Sequence, residues 1–497
     1  MKNILKILTM TTVIAVSVVS CDLDKFPYSG IEQSQSFLTV KDAETHRNGL
    51  YNHLRSRVYG IYTFSMDIQT DWLNATLDYG NRNGFPHKWS EFLATDYTIR
   101  DMWYGYYRSL ANVNNLITNL PKIATATVAE EAALTRYIGE AYFIRAFYYH
   151  QLIQRWAKDY EPATAATDPG VPLVLTYDIN LMPARASVAD VYQQILTDLG
   201  EAKTRLAATP GAPNSSRITS DAVTALEARV YLCMHNWTAA ETAANSLITS
   251  GRYTMVTTAA AFNNMWRTDA STEDIFRLFA SISEGANTNG VFLGWSQATS
   301  RYTPDWVPTQ AIVDLFDPAD FRRSAYFVQG IVRIQGFDYP NTWLFNKYPG
   351  NPALYSGTQT NYHHQPKVFR MGEMYLISAE AAAMTPATEG AALATLNTLR
   401  SRRGLTNLVG LTGNALMDAI KAERTRELLG EGNRLDDMKR WKIGFTRGTP
   451  QNTAFINTGV DFNLKVVAAG DDKFVWGIPS RDITVNPNLT DHQNPGW

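Results

Sequence analysis

Two pairs of alanine-rich helical segments constrain this chain to a predominantly helical fold. Thr219–Met234 and Thr238–Ser250 flank the turn His235-Asn236-Trp237 and carry Ala222, Ala225, Ala228, Ala240, Ala243 and Ala244. Small residues on facing helix surfaces let the two axes approach closely. A second pair, Gly372–Met384 and Gly390–Arg402, has the same character. Elsewhere, apolar residues recur at helical spacing. From Ile138 onward, Ala141, Tyr142, Tyr149, Leu152, Ile153 and Trp156 share a face. In Ser187–Leu206 the stripe is Val188, Val191, Tyr192, Ile195 and Leu199. Ser187 is its expected N-cap, and Pro210-Gly211-Ala212-Pro213 lies beyond its end. Ala415–Leu429 is a further amphipathic helix.

The paired segments look like tetratricopeptide hairpins. The expected fold is therefore mainly α, with tetratricopeptide-like helix pairs in one large globular body, long irregular loops and little strand. The pattern breaks down over Trp72–Ile99 and Ser281–Pro366, where Gly, Asn, Thr and Pro mix with scattered aromatics. Loops this long are usually functional.

The start of the chain reads as a secretory leader. Lys2 and Lys6 precede an uncharged, largely apolar run from Ile7 to Val19. That run is shorter than the ~20 apolar residues a spanning helix needs. Val18-Val19-Ser20-Cys21 resembles a bacterial lipobox, in which Cys21 is lipidated and becomes the mature N-terminus. Residues 1–20 are then the signal peptide. The one other cysteine, Cys233, sits in an apolar helical stretch and is expected to be a buried core residue, so packing must supply the stability.

Charge and motifs exclude several functions. The formal net charge is −2, and losing the two leader lysines makes it more negative. No Lys/Arg-rich run is present to neutralise phosphates, so nucleic acid is not an expected partner. Phosphate-loop, dinucleotide-fold, zinc-protease, nucleophile-elbow and Cys-x-x-Cys motifs are all missing, and no cofactor is expected. His363-His364 reads as a pair of solvated loop histidines, because neighbours in extended chain point apart, and no metal is expected. A carboxylate pair for glycosidic cleavage leaves no local signature.

The C-terminal half carries an ordered series of motifs. Lys367 to Ala381 is followed by Asn397 to Leu405, by Glu423-Arg424-Thr425-Arg426-Glu427-Leu428 and by Glu431 to Trp441. The series closes with Ile478-Pro479-Ser480-Arg481-Asp482-Ile483 and Gln493-Asn494-Pro495-Gly496-Trp497. This series resembles the SusD/RagB family, and Asp42–Tyr51, Trp103–Ile117 and Gly139–Trp156 match it more loosely. The resemblance divides the mature chain into an N-terminal region, 21–215, and a C-terminal region, 216–497, packed as one body. It implies an outer-membrane, lipid-anchored, cell-surface protein that captures nutrient oligosaccharide. It also implies a partner, a SusC-like TonB-dependent transporter, and no chemistry on the ligand. The alternatives are a helical glycoside hydrolase with an unrecognised acid pair and a peptide-binding relative.

The charged motif residues read as structural. Arg400, Arg403, Glu423, Glu427, Glu431, Arg434, Asp436 and Arg440 alternate in sign along helical segments, and Glu380 needs a partner if buried.

Sugar rings offer apolar C–H faces rimmed by hydroxyls, so their sites need flat aromatic platforms beside Asn, Asp, Arg or Gln. Two segments offer both. One runs from Asp71 and Trp72 through Tyr79, Asn81 and Arg82 to Trp89; the other from Asn287 through Trp295, Arg301 and Tyr302 to Trp306. The candidate ligand residues are Trp72, Tyr79, Asn81, Arg82, Trp295, Tyr302 and Trp306. The competing role for each aromatic is to anchor its own loop. A third segment, Trp343 to Tyr362, carries Tyr348 and Tyr355. Trp103 and Trp237 belong to helical packing.

Overall fold

The computed structural model describes residues 36–497 and is built mainly of helices. In chain order these are α1 (Val40–Arg55), α2 (Ile61–Ile68), α3 (Tyr97–Asn119), α4 (Val128–Trp156), α5 (Val188–Arg205), α6 (Ser220–Cys233) and α7 (Trp237–Ile248). The later ones are α8 (Met371–Ala383), α9 (Glu389–Ser401), α10 (Gly413–Leu428) and α11 (Arg434–Arg440). Capping side chains set where several of them start. Thr39 and Thr127 form reciprocal boxes with Asp42 and Glu130, which satisfy backbone N–H groups in the first turns of α1 and α4. Ser187 caps α5 by accepting from Asp190 N, as its sequence predicts. Helix α4 begins well before Ile138, at the Thr127 box.

The alanine pattern produces the expected helix pairs. Ala222, Ala225, Ala228, Ala240 and Ala244 are fully buried between α6 and α7, and α8 packs against both α7 and α9. Cys233 is buried, and burial pushes its thiol up to about 12, which leaves it unreactive. One continuous core includes residues from Ala43 to Leu489. At its centre, the Trp156 ring lies 5.2 Å from that of Trp103 and 5.6 Å from that of Trp476. Trp237 packs at the edge of this core and stacks on His235 at 5.0 Å.

Segment 281–366 holds more strand than its composition suggests. Short strands β2 (Trp295–Ser296) and β3 (Arg301–Tyr302) join the hairpin β5 (Phe327–Ile334) and β6 (Phe337–Phe345) in one sheet, ordered β2-β3-β5-β6. Two further strands, β1 (Leu73–Ala75) and β4 (Trp306–Pro308), pair separately. The hairpin turns at Gln335-Gly336, with φ of 50° and 82°. Two successive positive φ values give the turn the twist that matches a hairpin's strands.

The charged motif residues form the expected network. Arg403 reaches both Glu273 and Glu427 at 2.8 Å, and Arg322 reaches Asp320 at 2.7 Å, Glu423 at 2.6 Å and Glu427 at 3.0 Å. Arg370 pairs with Glu427 and Glu431, Arg400 with Glu423, and Arg155 with Asp436. Buried Glu380 is held by Arg440 and by Trp441 Nε1, the latter at 2.8 Å. Buried ions persist only with such partners. Arg434 pairs with Asp71 at 2.8 Å, tying α11 to the start of the first aromatic segment. Cys21 and the leader lie outside the described residues. Among the described residues, no helix is long and apolar enough to cross a membrane.

Candidate functional site

The two aromatic segments named from sequence are joined by a ladder. Strand β1 pairs antiparallel with β4, with Leu73 opposite Pro308, Asn74 opposite Val307 and Ala75 opposite Trp306. Thr76 extends it, donating from its N–H to Asp305 O at 2.9 Å and from its hydroxyl to Pro304 O at 2.8 Å. Every residue of both strands is buried.

That burial corrects three of the sequence assignments. Trp72 is 1 % exposed and Trp306 0 %, so neither offers a ring face to a ligand. Trp72 packs on Phe292 and Phe345 and donates Nε1–H to Asp67 at 3.3 Å. Trp306 sits against His87 at 4.7 Å and Tyr79 at 5.6 Å. Tyr79, at 8 % exposure, also packs against Phe462. These rings anchor the ladder, the competing role recognised in the sequence. Trp89, at the end of the first segment, is buried as well and donates to Gln69 O.

Trp295 and Tyr302 remain accessible. They stand directly opposite each other across β2 and β3, with ring centroids 4.8 Å apart and planes inclined by 57°. Trp295 is 37 % exposed and Tyr302 partly so. The Trp295 N–H donates to Tyr362 Oη at 3.0 Å, which fixes the strand. Tyr302 lies against β5 at Gly330, where an added Cβ would come within 2.6 Å of the ring. Glycine is what lets the ring settle there.

Polar groups lie in the same two segments and in the neighbouring hairpin. Arg82 grips Asp305 through Nε and Nη2 at 2.7 and 2.6 Å, and its side chain is 66 % exposed. Its Nη1 makes no hydrogen bond to a described residue and remains available. Burial pushes the Asp305 carboxyl up, and Arg82 opposes that shift. Asn81 accepts from the Tyr79 hydroxyl at 3.1 Å, with its backbone at φ 56°, a region asparagine tolerates. Asp338 holds Arg301 at 2.8 Å and Arg333 at 3.0 Å, and Gln297 is exposed. Asp78 accepts from Gln335 N at 2.8 Å, so the first segment touches the tip of the β5–β6 hairpin. Near that tip Phe337 is 69 % exposed, an apolar group that the sequence reading did not single out.

Two other places fit a ligand less well. A cleft of about 880 Å³ near the ends of α4 and α11 is walled by Asp, Glu and Lys side chains, and its one aromatic, Phe474, is buried. Asp159, Glu161 and His235 converge nearby, but Glu161 is already paired with the Lys442 ammonium at 2.5 Å and His235 lies 3.2 Å from Asp159. The histidine pair differs from expectation: His364 is buried and stacks on Tyr348 at 4.8 Å, and only His363 is partly exposed. Tyr348 is buried too and donates to Gly430 O, which removes it from the surface of the third segment.

Two family models match the sequence. One, described as the SusD family, matches residues 333–497; the other, described as starch-binding associating with outer membrane, matches residues 23–232. The chain belongs to the SusD family. It is 23% identical to SusD-like protein P38 of Formosa agariphila, covering 97% of each chain. It is 24% identical to SusD-like protein P2 of the same organism, covering 98% of each. Its fold is similar to a SusD superfamily protein from Bacteroides thetaiotaomicron, with TM-score 0.78, 24% identity, and 92% and 100% of the two chains covered. It is also similar to a putative sugar binding protein from Bacteroides vulgatus, with TM-score 0.72, 23% identity, and 93% and 99% covered. The tetratricopeptide-like helical body is thus the SusD superfamily fold, with the Trp295–Tyr302 pair on a small sheet beside it.

Proposed function

We propose that this SusD-family protein binds nutrient oligosaccharide at the cell surface and passes it, chemically unchanged, to a SusC-like TonB-dependent transporter. The observation that carries the reading is the accessible Trp295–Tyr302 pair at a sheet edge. Two inclined rings form a shallow corner against which the C–H faces of adjacent sugar units can stack. Arg82, Asn81 and Gln297 are polar groups in the two aromatic segments, suited to hydroxyls. The family description that names starch, and the sugar-binding title of one structural relative, support this ligand class. In this reading residues 1–20 are removed, Cys21 carries the lipid, and the body faces the cell exterior from the outer membrane.

The test is incubation of the purified protein with plant, host and microbial glycans. Binding without new reducing ends is the expected result. New reducing ends would establish the hydrolase alternative, and affinity for peptides alone would establish the peptide-binding one. Mild detergent extraction at native expression should recover the transporter with the protein. Recovery of the protein alone would refute the delivery step.

A further inference from the structure

A second site lies inside the body, far in character from the aromatic pair. A cavity of about 90 Å³ lies where α4, α6, α10 and α11 meet the start of α2. Its walls include Arg57, His150, Arg155 and Arg424. His150, Arg155 and Arg424 are only 2 %, 3 % and 4 % exposed. Arg57 Nε, Arg155 Nε, Arg424 Nη1 and both ring nitrogens of His150 are buried without a hydrogen-bond partner. Native interiors leave few such groups unpaired, and several around one cavity call for an occupant.

The chemistry of the occupant follows from the donors. Guanidinium nitrogens only donate, and a neutral imidazole adds one further donor. Water can satisfy two donors; an anion can satisfy all of them and is the better match. The charges agree. Arg155 is paired with Asp436, Arg424 with Asp437, Arg440 with Glu380, Arg229 with Glu373 and Lys367 with Asp269. Glu431, also on the wall, is already held by Lys347 and Arg370. Arg57 alone has no carboxylate; its Nη1 donates only to Ser56. One positive charge is therefore left over. Burial, then Arg229 and Arg155, hold the His150 imidazole well below its usual range, so the ring is neutral and offers one N–H. At a liquid share of about 30 Å³ per water, the space is that of roughly three waters, enough for one compact anion.

We propose that this cavity binds a single small inorganic anion, a halide or a tetrahedral oxyanion, which bolts α4 to α10 and α11. The site is independent of glycan binding. A ligand that binds only the folded state raises its stability with concentration and then follows a saturation curve. The melting temperature should thus rise saturably in sodium chloride or sodium phosphate relative to sodium gluconate of equal ionic strength, gluconate being too bulky to enter. The salt that gives the larger rise distinguishes halide from oxyanion. Arg57→Gln should abolish the anion-dependent rise, and it strands no carboxylate. Crystals of the unaltered protein grown in sodium bromide, or in phosphate, should show anion density between Arg57, Arg155 and Arg424. Identical melting in all three salts, a full rise retained in Arg57→Gln, or density for water alone would overturn the proposal.

Discussion

Arg403 Nη2 lies 2.8 Å from Glu427 Oε1, and neither side chain is open to solvent. The same guanidinium holds Glu273, so removing it leaves buried Glu273 without a cation and takes one of three arginines from Glu427. Arg403→Met should cost about 3–5 kcal/mol, the range for breaking a buried pair from one side. Urea unfolding measures it. A loss below about 1 kcal/mol, the level of a surface pair, would mean the network contributes little.

Acid should dismantle part of this network. Burial pushes the Glu423 carboxyl up, but Arg322 and Arg426 outweigh it and hold the group at about 2. The unfolded chain takes up that proton near pH ~4.3. Glu423's contribution is therefore complete above that value and is lost as pH falls toward 2. Glu423→Gln should lower stability at pH 6 yet converge on the unaltered protein at pH 2. Denaturation midpoints across this range that stay parallel would refute the assignment.

Trp295→Ala and Tyr302→Ala should each weaken oligosaccharide binding by about 1–3 kcal/mol, as for contact hot spots, and leave melting nearly unchanged. Trp306→Ala should instead destabilise the protein by about 3–5 kcal/mol, as a fully buried aromatic does. Calorimetry of binding and of unfolding separates the two classes. Full affinity in both of the first variants would remove the sheet edge from the binding surface.

Gly330→Ala probes the same surface without touching an aromatic. The new methyl would meet the Tyr302 ring at 2.6 Å and Leu344 at 3.3 Å, forcing the ring outward. We expect roughly a tenfold loss of affinity, equivalent to about 1.4 kcal/mol. Unchanged affinity would show that the position of Tyr302 is immaterial.

Cys21→Ala should release the protein from the outer-membrane fraction in cells lacking the transporter, since several acyl chains give stable anchoring. Retention in that fraction would contradict the lipid anchor. Asp22 and Asp24 beside it fit export to the outer face, which protease shaving of intact cells reports.

The helical body was legible because its signals are local. Ser187 caps α5, and alanine spacing identified α6 and α7, since both depend on residues within one or two turns. The β5–β6 hairpin was hidden by Gly330 and Pro340 inside its strands and by a Gln-Gly turn in place of Asn-Gly. Ile334-Gln335-Gly336-Phe337 was the available signal. Trp72 and Trp306 were misread for a different reason. A tryptophan in a polar loop looks the same whether it faces solvent or a partner strand more than two hundred residues away, and the ladder that buries both cannot be read from either segment alone. Trp295 lies on the outermost strand of its sheet, and that edge position leaves it accessible.

The pairing of Leu73 with Pro308 also bears on how the protein is made. Contacts this distant in sequence close slowly, because chain entropy must be surrendered before they form. During synthesis the first aromatic segment has to wait for its partner strand while the early helices are already assembling. Refolding followed by circular dichroism should therefore recover most of its helical signal before tryptophan fluorescence reports a closed ladder, so maturation of the protein is paced by a sheet of two three-residue strands.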